Sequence, residues 1–267
     1  MKVNILTDNR VSKRGLLAEH GLSIFIETVK GNFLFDTGQS AVYLHNAQKM
    51  GLDLTKTDHL IISHGHYDHG GGLNYFPNPD QLPLVYVHEK ALGKRYKIMP
   101  DGNFQEVGLG WSSEFKLVQT QDYYQIMPGV ILCGNIPQTV EFEEVTPGFY
   151  QADKQTPDLL VDEQMLIFDT VKGLCVFLGC SHPGVANCLN QAKKLFPDKN
   201  INTLVAGMHL NIASPQRIQK TINFLQAQKI KNVVPLHCTG IMAITEIKRA
   251  LGDACSLYCA GDAWEFV

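Results

Sequence analysis

The sequence lacks several features that would assign it to a special class of protein. Its most apolar segment, Gly173–Gly179, is far shorter than the roughly 20 residues of a membrane-spanning helix, so no membrane partner is expected. No basic stretch precedes a longer apolar run at the N-terminus, so a secretory signal peptide is not indicated. A Walker A motif and a GxGxxG motif are both missing, which argues against ATP or dinucleotide chemistry.

A strong net charge and paired cysteines are also missing. The 23 Lys and Arg residues against 26 Asp and Glu give a net charge of −3, which argues against nucleic acid as a partner. The seven cysteines are odd in number and contain no Cys-X-X-Cys pair, which favours a reduced, cytoplasmic protein over a secreted disulfide framework. Hydrophobic residues make up 45% of the 267 residues, enough for a large core.

Short apolar runs alternate with helical patterns along the chain. In each half, several strands precede strand–helix units. This order predicts an α/β fold of two mixed β-sheets packed face to face with helices outside, an αββα sandwich in a single domain of residues 1–267. Helices are predicted at Ala41–Met50, Val185–Leu195, Pro215–Gln228 and Ile244–Ala250. Strands are predicted at Val3–Leu6, Leu22–Val29, Asn32–Phe35, His59–Ile62, Leu84–His88, Val130–Leu132, Met165–Phe168, Leu174–Leu178, Thr203–Ala206, Val233–Leu236 and Ser256–Ala260.

The segment of residues 89–129 is predicted to be an inserted lid or flap outside the sheets. The stretch contains two Pro- or Gly-rich turns, and four cations, Lys90, Lys94, Arg95 and Lys97, lie close together in it. It is either a surface excursion or a substrate-contacting segment. The cations favour a substrate that carries phosphate, although such a cluster is also typical of a solvated face.

The most distinctive segment, Ser63–Gly72, reads Ser-His-Gly-His-Tyr-Asp-His-Gly-Gly-Gly and holds three of the ten histidines. Side chains at i and i+2 of a strand end point the same way, so His64 and His66 are expected to bind one metal ion from one side. After the turn, Asp68 and His69 are expected to face a second ion. The glycines of this segment would allow sharp bends and close packing.

This HxHxDH motif resembles the hallmark of the metallo-β-lactamase-fold hydrolases, which implies an αββα sandwich with two metals at the sheet edge. Further segments resemble one subgroup, often labelled dihydropterin–ribofuranosylaminobenzene-phosphate synthase-like. These segments are Ala18–Ser23, Leu34–Gly38, Gly179–Gly184 and Pro235–Gly240.

The resemblance implies two further ligands, His182 and His237, each placed just after a predicted strand. It assigns His64, His66 and His182 to one ion, and Asp68, His69 and His237 to the other. Two divalent ions are therefore expected, with zinc as the first choice and iron or manganese as the alternatives.

The sequence departs from the superfamily pattern in two places. Most members have a bridging Asp in the stretch that here reads Gly179–His182, and many have a ligand His where this chain has Phe149. Cys180 is either a thiolate ligand or a buried free cysteine. By analogy with the superfamily, Asp36 is expected to hold the metal-binding loop by hydrogen bonds, since ligating histidines usually need such a partner.

The remaining histidines divide into two groups. His20 and His209 either approach the substrate, where they would protonate a leaving group, or lie hydrogen-bonded in the core; the strand-end position of His209 favours the first role. His45, His59 and His88 are interpreted as structural.

The motif pattern implies a metal-dependent hydrolase in which a metal-activated hydroxide attacks a carbonyl or phosphorus atom of a small molecule. Asp68 would hold a metal and orient the nucleophile, and His209 would stabilise charge or protonate the departing group. One alternative is a synthase that joins a pterin diphosphate to an aminobenzene partner. Another is a non-catalytic ligand-binding or sensor protein with an impaired metal site. A nuclease is less favoured, because no long basic or aromatic-interleaved stretch is present.

Overall fold

The computed structural model describes residues 1–76, 83–112 and 115–266 and divides the chain into two compact units. The first unit comprises Met1–Thr120, Pro147–Asp158 and Cys259–Val267, and the second comprises Gln121–Thr146 and Leu159–Tyr258. The helices are α1 (Val42–Lys49), α2 (Tyr67–Gly70), α3 (Val185–Leu195), α4 (Pro215–Gln228) and α5 (Ile241–Leu251). The strands are β1 (Lys2–Thr7), β2 (Ser23–Thr28), β3 (Gly31–Phe35), β4 (His59–Ile62), β5 (Leu84–His88), β6 (Arg95–Ile98), β7 (Phe104–Glu106), β8 (Leu117–Thr120), β9 (Tyr123–Met127), β10 (Val130–Cys133), β11 (Phe149–Gln151), β12 (Met165–Thr170), β13 (Gly173–Leu178), β14 (Ile201–Gly207), β15 (Asn232–Leu236) and β16 (Ala263–Glu265).

The first unit contains a seven-stranded mixed sheet in the order β16-β1-β2-β3-β4-β5-β8. Its first strands pair antiparallel, whereas β3, β4, β5 and β8 run parallel. Apolar residues of these strands and of α1, including Leu34, Leu60 and the fully buried Tyr43, form one core cluster. Because parallel strands end at the same edge, Asp36 after β3 and Ser63 after β4 emerge side by side.

The second unit contains a six-stranded mixed sheet in the order β15-β14-β13-β12-β10-β9. Here β13, β14 and β15 run parallel, and α3 and α4 form the crossovers between them. All six residues of β13 are buried, as expected for a strand in the middle of a sheet. The carboxyl ends of the three parallel strands lead into the segments that carry His182, His209 and His237.

The predicted fold class is confirmed, because both large sheets are mixed and are accompanied by helices. The helices Val185–Leu195 and Pro215–Gln228 have the predicted bounds. The predicted last strand, Ser256–Ala260, is wrong: Cys255 makes a single bridge to Val233, Ala260 makes one to Val11, and the residues between them belong to no strand. This segment joins the two units, so it does not follow the edge of either sheet.

The stretch 89–129 is only partly separate from the large sheets. Strands β6 and β7 form a small sheet with β11, whereas β8 and β9 are edge strands of the two large sheets. The prediction that the whole stretch lies outside the sheets is therefore wrong for its C-terminal part, and Ser113 and Glu114 fall outside the described residues. Its role as a lid stays a prediction.

Two further properties concern the cysteines and the helices. Each of the seven cysteines is a buried free thiol. Among the described residues, no helix combines the length and the apolar character that a membrane crossing requires.

Candidate metal centre

The HxHxDH motif forms a buried group of side chains at the carboxyl end of β4. The Nε2 atom of His64 lies 3.0 Å from the Nδ1 atom of His66. The ring of His69 lies 4.1 Å, centroid to centroid, from that of His64, and its Nε2 atom is 3.8 Å from Oδ2 of Asp68. All four side chains are nearly or fully buried, so the structure brings together the predicted ligands of the first unit.

The carboxylate of Asp36 holds this group by hydrogen bonds. Its Oδ2 atom lies 2.6 Å from Nδ1 of His69 and accepts a 2.7 Å hydrogen bond from the hydroxyl of Ser63, while its Oδ1 atom accepts the amide N–H of Ser63 at 2.7 Å. The Ser63 oxygen in turn lies 2.9 Å from Nδ1 of His64. Asp36 thus supplies the hydrogen bonds expected of it, and Ser63, which the sequence did not single out, extends them to a second ring.

The glycines of the motif are needed because a Cβ atom would clash with neighbouring backbone, and not because their φ values are positive. A Cβ atom on Gly65 would lie 2.4 Å from the carbonyl oxygen of Ala91, and one on Gly72 would lie 2.1 Å from that of Thr37. Neither glycine has a positive φ, whereas Asp36 has a φ of 59°. The expected sharp bend is therefore made by the short helix α2, while the glycines let neighbouring loops approach the histidines.

His20 reaches Asp68 from the loop before β2. Its Nε2 atom lies 3.2 Å from Oδ2 of Asp68, and its Nδ1 atom lies 3.3 Å from the side-chain nitrogen of Asn9. The His20 side chain is 52% exposed, whereas that of Asp68 is 9% exposed. His20 therefore contacts a predicted ligand and lies outside the core.

Phe149 covers one face of His66. The two rings stack with centroids 5.1 Å apart and planes 25° apart, and the Nζ atom of Lys97 lies 5.4 Å from the Phe149 centroid. Two other cations of the predicted cluster are engaged elsewhere: Lys94 pairs with Glu106, and Arg95 pairs with Asp158 and is buried. The small sheet thus presents one cation next to the aromatic ring that covers His66.

A second group of potential ligands lies in the second unit. Cys180, His182 and His209 each offer a ligand atom, and these atoms lie within 4.8 Å of one another. The same is true of Cys180, His237 and Cys238. The three segments follow β13, β14 and β15, so the parallel strands collect them at one edge, as the sequence predicted for His182, His209 and His237.

The backbone is strained where these side chains leave the sheet. Ser181, His209 and His237 have φ values of 57°, 47° and 50°, a left-handed conformation that non-glycine residues adopt infrequently. Such conformations persist only where the surroundings enforce them, and they cluster at functional sites.

Cys238 lies among these residues with an unusual electrostatic environment. Burial raises the pKa of its thiol, but the side chains of Cys180, His237 and His209 more than offset this effect and hold the pKa well below its usual value. The Cys238 sulfur also accepts the amide N–H of His209 at 3.3 Å. The sequence analysis did not identify this residue.

Sequence reasoning also missed Glu163, which is fully buried just before β12. Its carboxylate accepts hydrogen bonds from the backbone amides of Cys180, Ser181 and His182 at 3.0, 3.0 and 3.1 Å. The sequence contained one signal for this residue, the polar triplet Asp162–Gln164 directly before an apolar strand. In the structure all three residues are buried.

The histidines interpreted as structural have ordinary polar partners. His45 Nε2 lies 3.0 Å from the carbonyl oxygen of Gly15, and His59 Nδ1 lies 3.2 Å from the hydroxyl of Tyr86. His88 Nδ1 accepts the amide N–H of Lys90 at 3.2 Å.

The donor set fits a divalent transition metal. Imidazole nitrogens, a carboxylate and thiols are the groups that zinc and iron prefer in proteins. Here they are buried, close together within each unit, and held by hydrogen bonds such as that between Asp36 and His69. The residues present can therefore hold metal.

Comparisons with known proteins agree with this chemistry. Residues 17–166 match the family model described as the metallo-beta-lactamase superfamily. A solved structure described as a metal-dependent hydrolase of the beta-lactamase superfamily is 31% identical, with a TM-score of 0.85, and the alignment covers 100% of this chain and 99% of that one.

Two curated proteins of Methanocaldococcus jannaschii are each 29% identical to this chain. One is an uncharacterized protein, aligned over 92% of this chain and 94% of its own length. The other is 7,8-dihydropterin-6-methyl-4-(beta-D-ribofuranosyl)-aminobenzene-5'-phosphate synthase, aligned over 85% of this chain and 83% of its own length.

Proposed function

Because this chain belongs to the metallo-beta-lactamase superfamily, we propose that it is a metal-dependent hydrolase of a small molecule. The observation that carries the proposal is the buried HxHxDH group, in which the Asp36 carboxylate makes hydrogen bonds with His69 and Ser63. In this proposal His64, His66 and His182 hold one divalent ion, and Asp68, His69 and His237 hold a second. When bound, such ions supply Lewis acidity and make water reactive near neutral pH, with zinc as the first choice.

The protein's own residues then have distinct roles in the proposal. Asp68, which His20 contacts at 3.2 Å, orients the attacking water and accepts its proton. His209 donates a proton to the departing group. The buried Nδ1 atom of His209 makes no hydrogen bond among the described residues, which supports a role in proton transfer.

A phosphate group on the substrate is the second part of the proposal. Its supports are the phosphate named in the product of the synthase relative and the position of Lys97 over Phe149. Lys94 and Arg95 pair with carboxylates, so Lys97 is the better candidate for binding a phosphate near His66.

A synthase that displaces diphosphate is the alternative, favoured by the 29% identity to a synthase over 85% of the chain. In that case the metals would stabilise the leaving diphosphate, and the aminobenzene partner would take the place of water.

The test combines metal analysis with two histidine variants. The purified protein should contain about two equivalents of metal and hydrolyse a chromogenic phosphodiester. His66→Ala should lose metal and turnover with an unchanged circular dichroism spectrum, whereas His45→Ala, at a histidine whose Nε2 atom contacts the Gly15 carbonyl oxygen, should keep both.

Three outcomes would contradict the proposal in different ways. Retained metal and turnover in His66→Ala would overturn the site. Metal without hydrolysis, together with product from pterin and aminobenzene substrates, would favour the synthase. A protein that takes up no zinc would favour the non-catalytic alternative.

A further inference from the structure

Glu163 organises the segment that carries His182 and Cys180. One carboxylate oxygen accepts the amide N–H groups of Cys180 and Ser181, and the other accepts that of His182. Three consecutive backbone donors therefore converge on one fully buried side chain. Beyond the end of β13, where strand pairing stops, this carboxylate satisfies donors that would otherwise need water.

The opposite side of the segment is attached to β14. The hydroxyl of Ser181 donates to the carbonyl oxygen of Gly207 at 2.6 Å. The amide N–H of Gly207 in turn donates to the carbonyl oxygen of Gly179 at 3.0 Å. Ser181 has a φ of 57°, so this conformation depends on its surroundings. Of these contacts, those of Glu163 alone reach the amide of His182 itself.

We propose that Glu163 is a positioning residue for metal binding, which fixes the backbone of His182 so that its imidazole is held ready for an ion. This inference rests on the proposed function, in which His182 is a metal ligand. Partners that orient a metal ligand typically change metal affinity by about 10–100-fold when they are replaced. The proposal therefore differs from a purely structural role, which would change the free energy of unfolding and leave metal affinity alone.

A second buried glutamate provides the matched control. Glu143 accepts the amide N–H groups of Ala186 and Asn187, both at 2.8 Å, at the start of α3. It is 4% exposed and holds no predicted ligand. Glu143→Gln should therefore lower the melting temperature without changing metal affinity.

The experiment measures zinc affinity by competition with a chromophoric chelator, well below the melting temperature of each variant. Glu163→Gln keeps the size of the side chain but turns an N–H group toward a backbone donor. Its zinc affinity should fall by about 10–100-fold relative to the wild-type protein. Glu163→Asp keeps the charge but is one methylene shorter, so its affinity should fall less; if Glu163→Gln does not fold, this variant decides the question.

The outcomes separate this inference from the proposed function. If His182→Ala retains wild-type zinc affinity, the ligand assignment itself fails. If His182→Ala loses affinity while the Glu163 variants do not, the ligand assignment stands and the positioning role is wrong. Equal losses of affinity in Glu163→Gln and Glu143→Gln would show an effect of general stability, and would also overturn the inference.

Discussion

The Oδ2 atom of Asp36 lies 2.6 Å from the Nδ1 atom of His69, and both side chains are fully buried. A carboxylate at this position accepts a hydrogen bond from Nδ1–H, which places the lone pair of the His69 ring on Nε2. The same carboxylate anchors the amide and hydroxyl of Ser63, at the start of the motif. One side chain thus fixes both the tautomer of a predicted ligand and the loop that carries it.

Asp36→Asn should weaken metal binding by about 10–100-fold, because an amide in place of the carboxylate cannot accept all three hydrogen bonds. Asparagine tolerates the left-handed backbone that Asp36 adopts at φ 59°, so the fold should be retained. The measurement is a zinc titration of each variant. Asp53→Asn, at an exposed carboxylate bonded to Thr55, is the control and should bind zinc as the wild-type protein does; equal affinity in both variants would contradict the role of Asp36.

Gly72→Ala should lower the free energy of unfolding by about 1–3 kcal/mol, the usual cost of overpacking. Its Cβ atom would lie 2.1 Å from the backbone oxygen of Thr37 and 2.9 Å from that of Ser40, so backbone would have to move. Urea denaturation measures the change. Gly93→Ala meets no atom within 4 Å, so it should leave stability unchanged or raise it by up to about 1 kcal/mol. A Gly72→Ala variant as stable as Gly93→Ala would show that the close packing is not needed.

Cys133 and Cys255 should resist alkylation by iodoacetamide at pH 8 in the native protein. Burial raises the pKa of each thiol to about 11, so both remain protonated, and the thiolate is the reactive form. Cys188, whose thiol pKa burial raises well above its usual value, should behave in the same way. Mass spectrometry of tryptic peptides measures the labelling, and the same reaction in denaturant should label all three. Labelling of these cysteines in the folded protein would contradict their burial in the core.

Local patterns were sufficient to predict most of the fold. Apolar β-branched runs gave strands such as His59–Ile62 at their observed bounds, and Pro215 marked the start of α4 because proline fits a first helical turn. Ser256–Ala260 failed because strand formation there depends on which distant strand is available to pair. Its two ends bridge to Val233 and Val11, which no local pattern reveals.

The candidate site was predictable to the extent that its residues share a motif or a strand end. His64 and His66 came from spacing, and His182 and His237 from resemblance and their position after strands. The polar triplet before β12 could have marked the position of Glu163, but not its role, because its partners are backbone amides 17 to 19 positions away that carry no sequence signal. The stack of Phe149 on His66 likewise joins residues far apart in the chain.

Strand β16 has a consequence for biosynthesis. It covers the free edge of β1, and the amide of Phe266 donates to the carbonyl oxygen of Met1 at 2.8 Å. While the ribosome is still adding residues 159–258, β1 has no neighbour on that side, and an uncovered edge is a template for pairing with other nascent chains. The edge of β1 is therefore protected from such association only after β16 has emerged and paired with it.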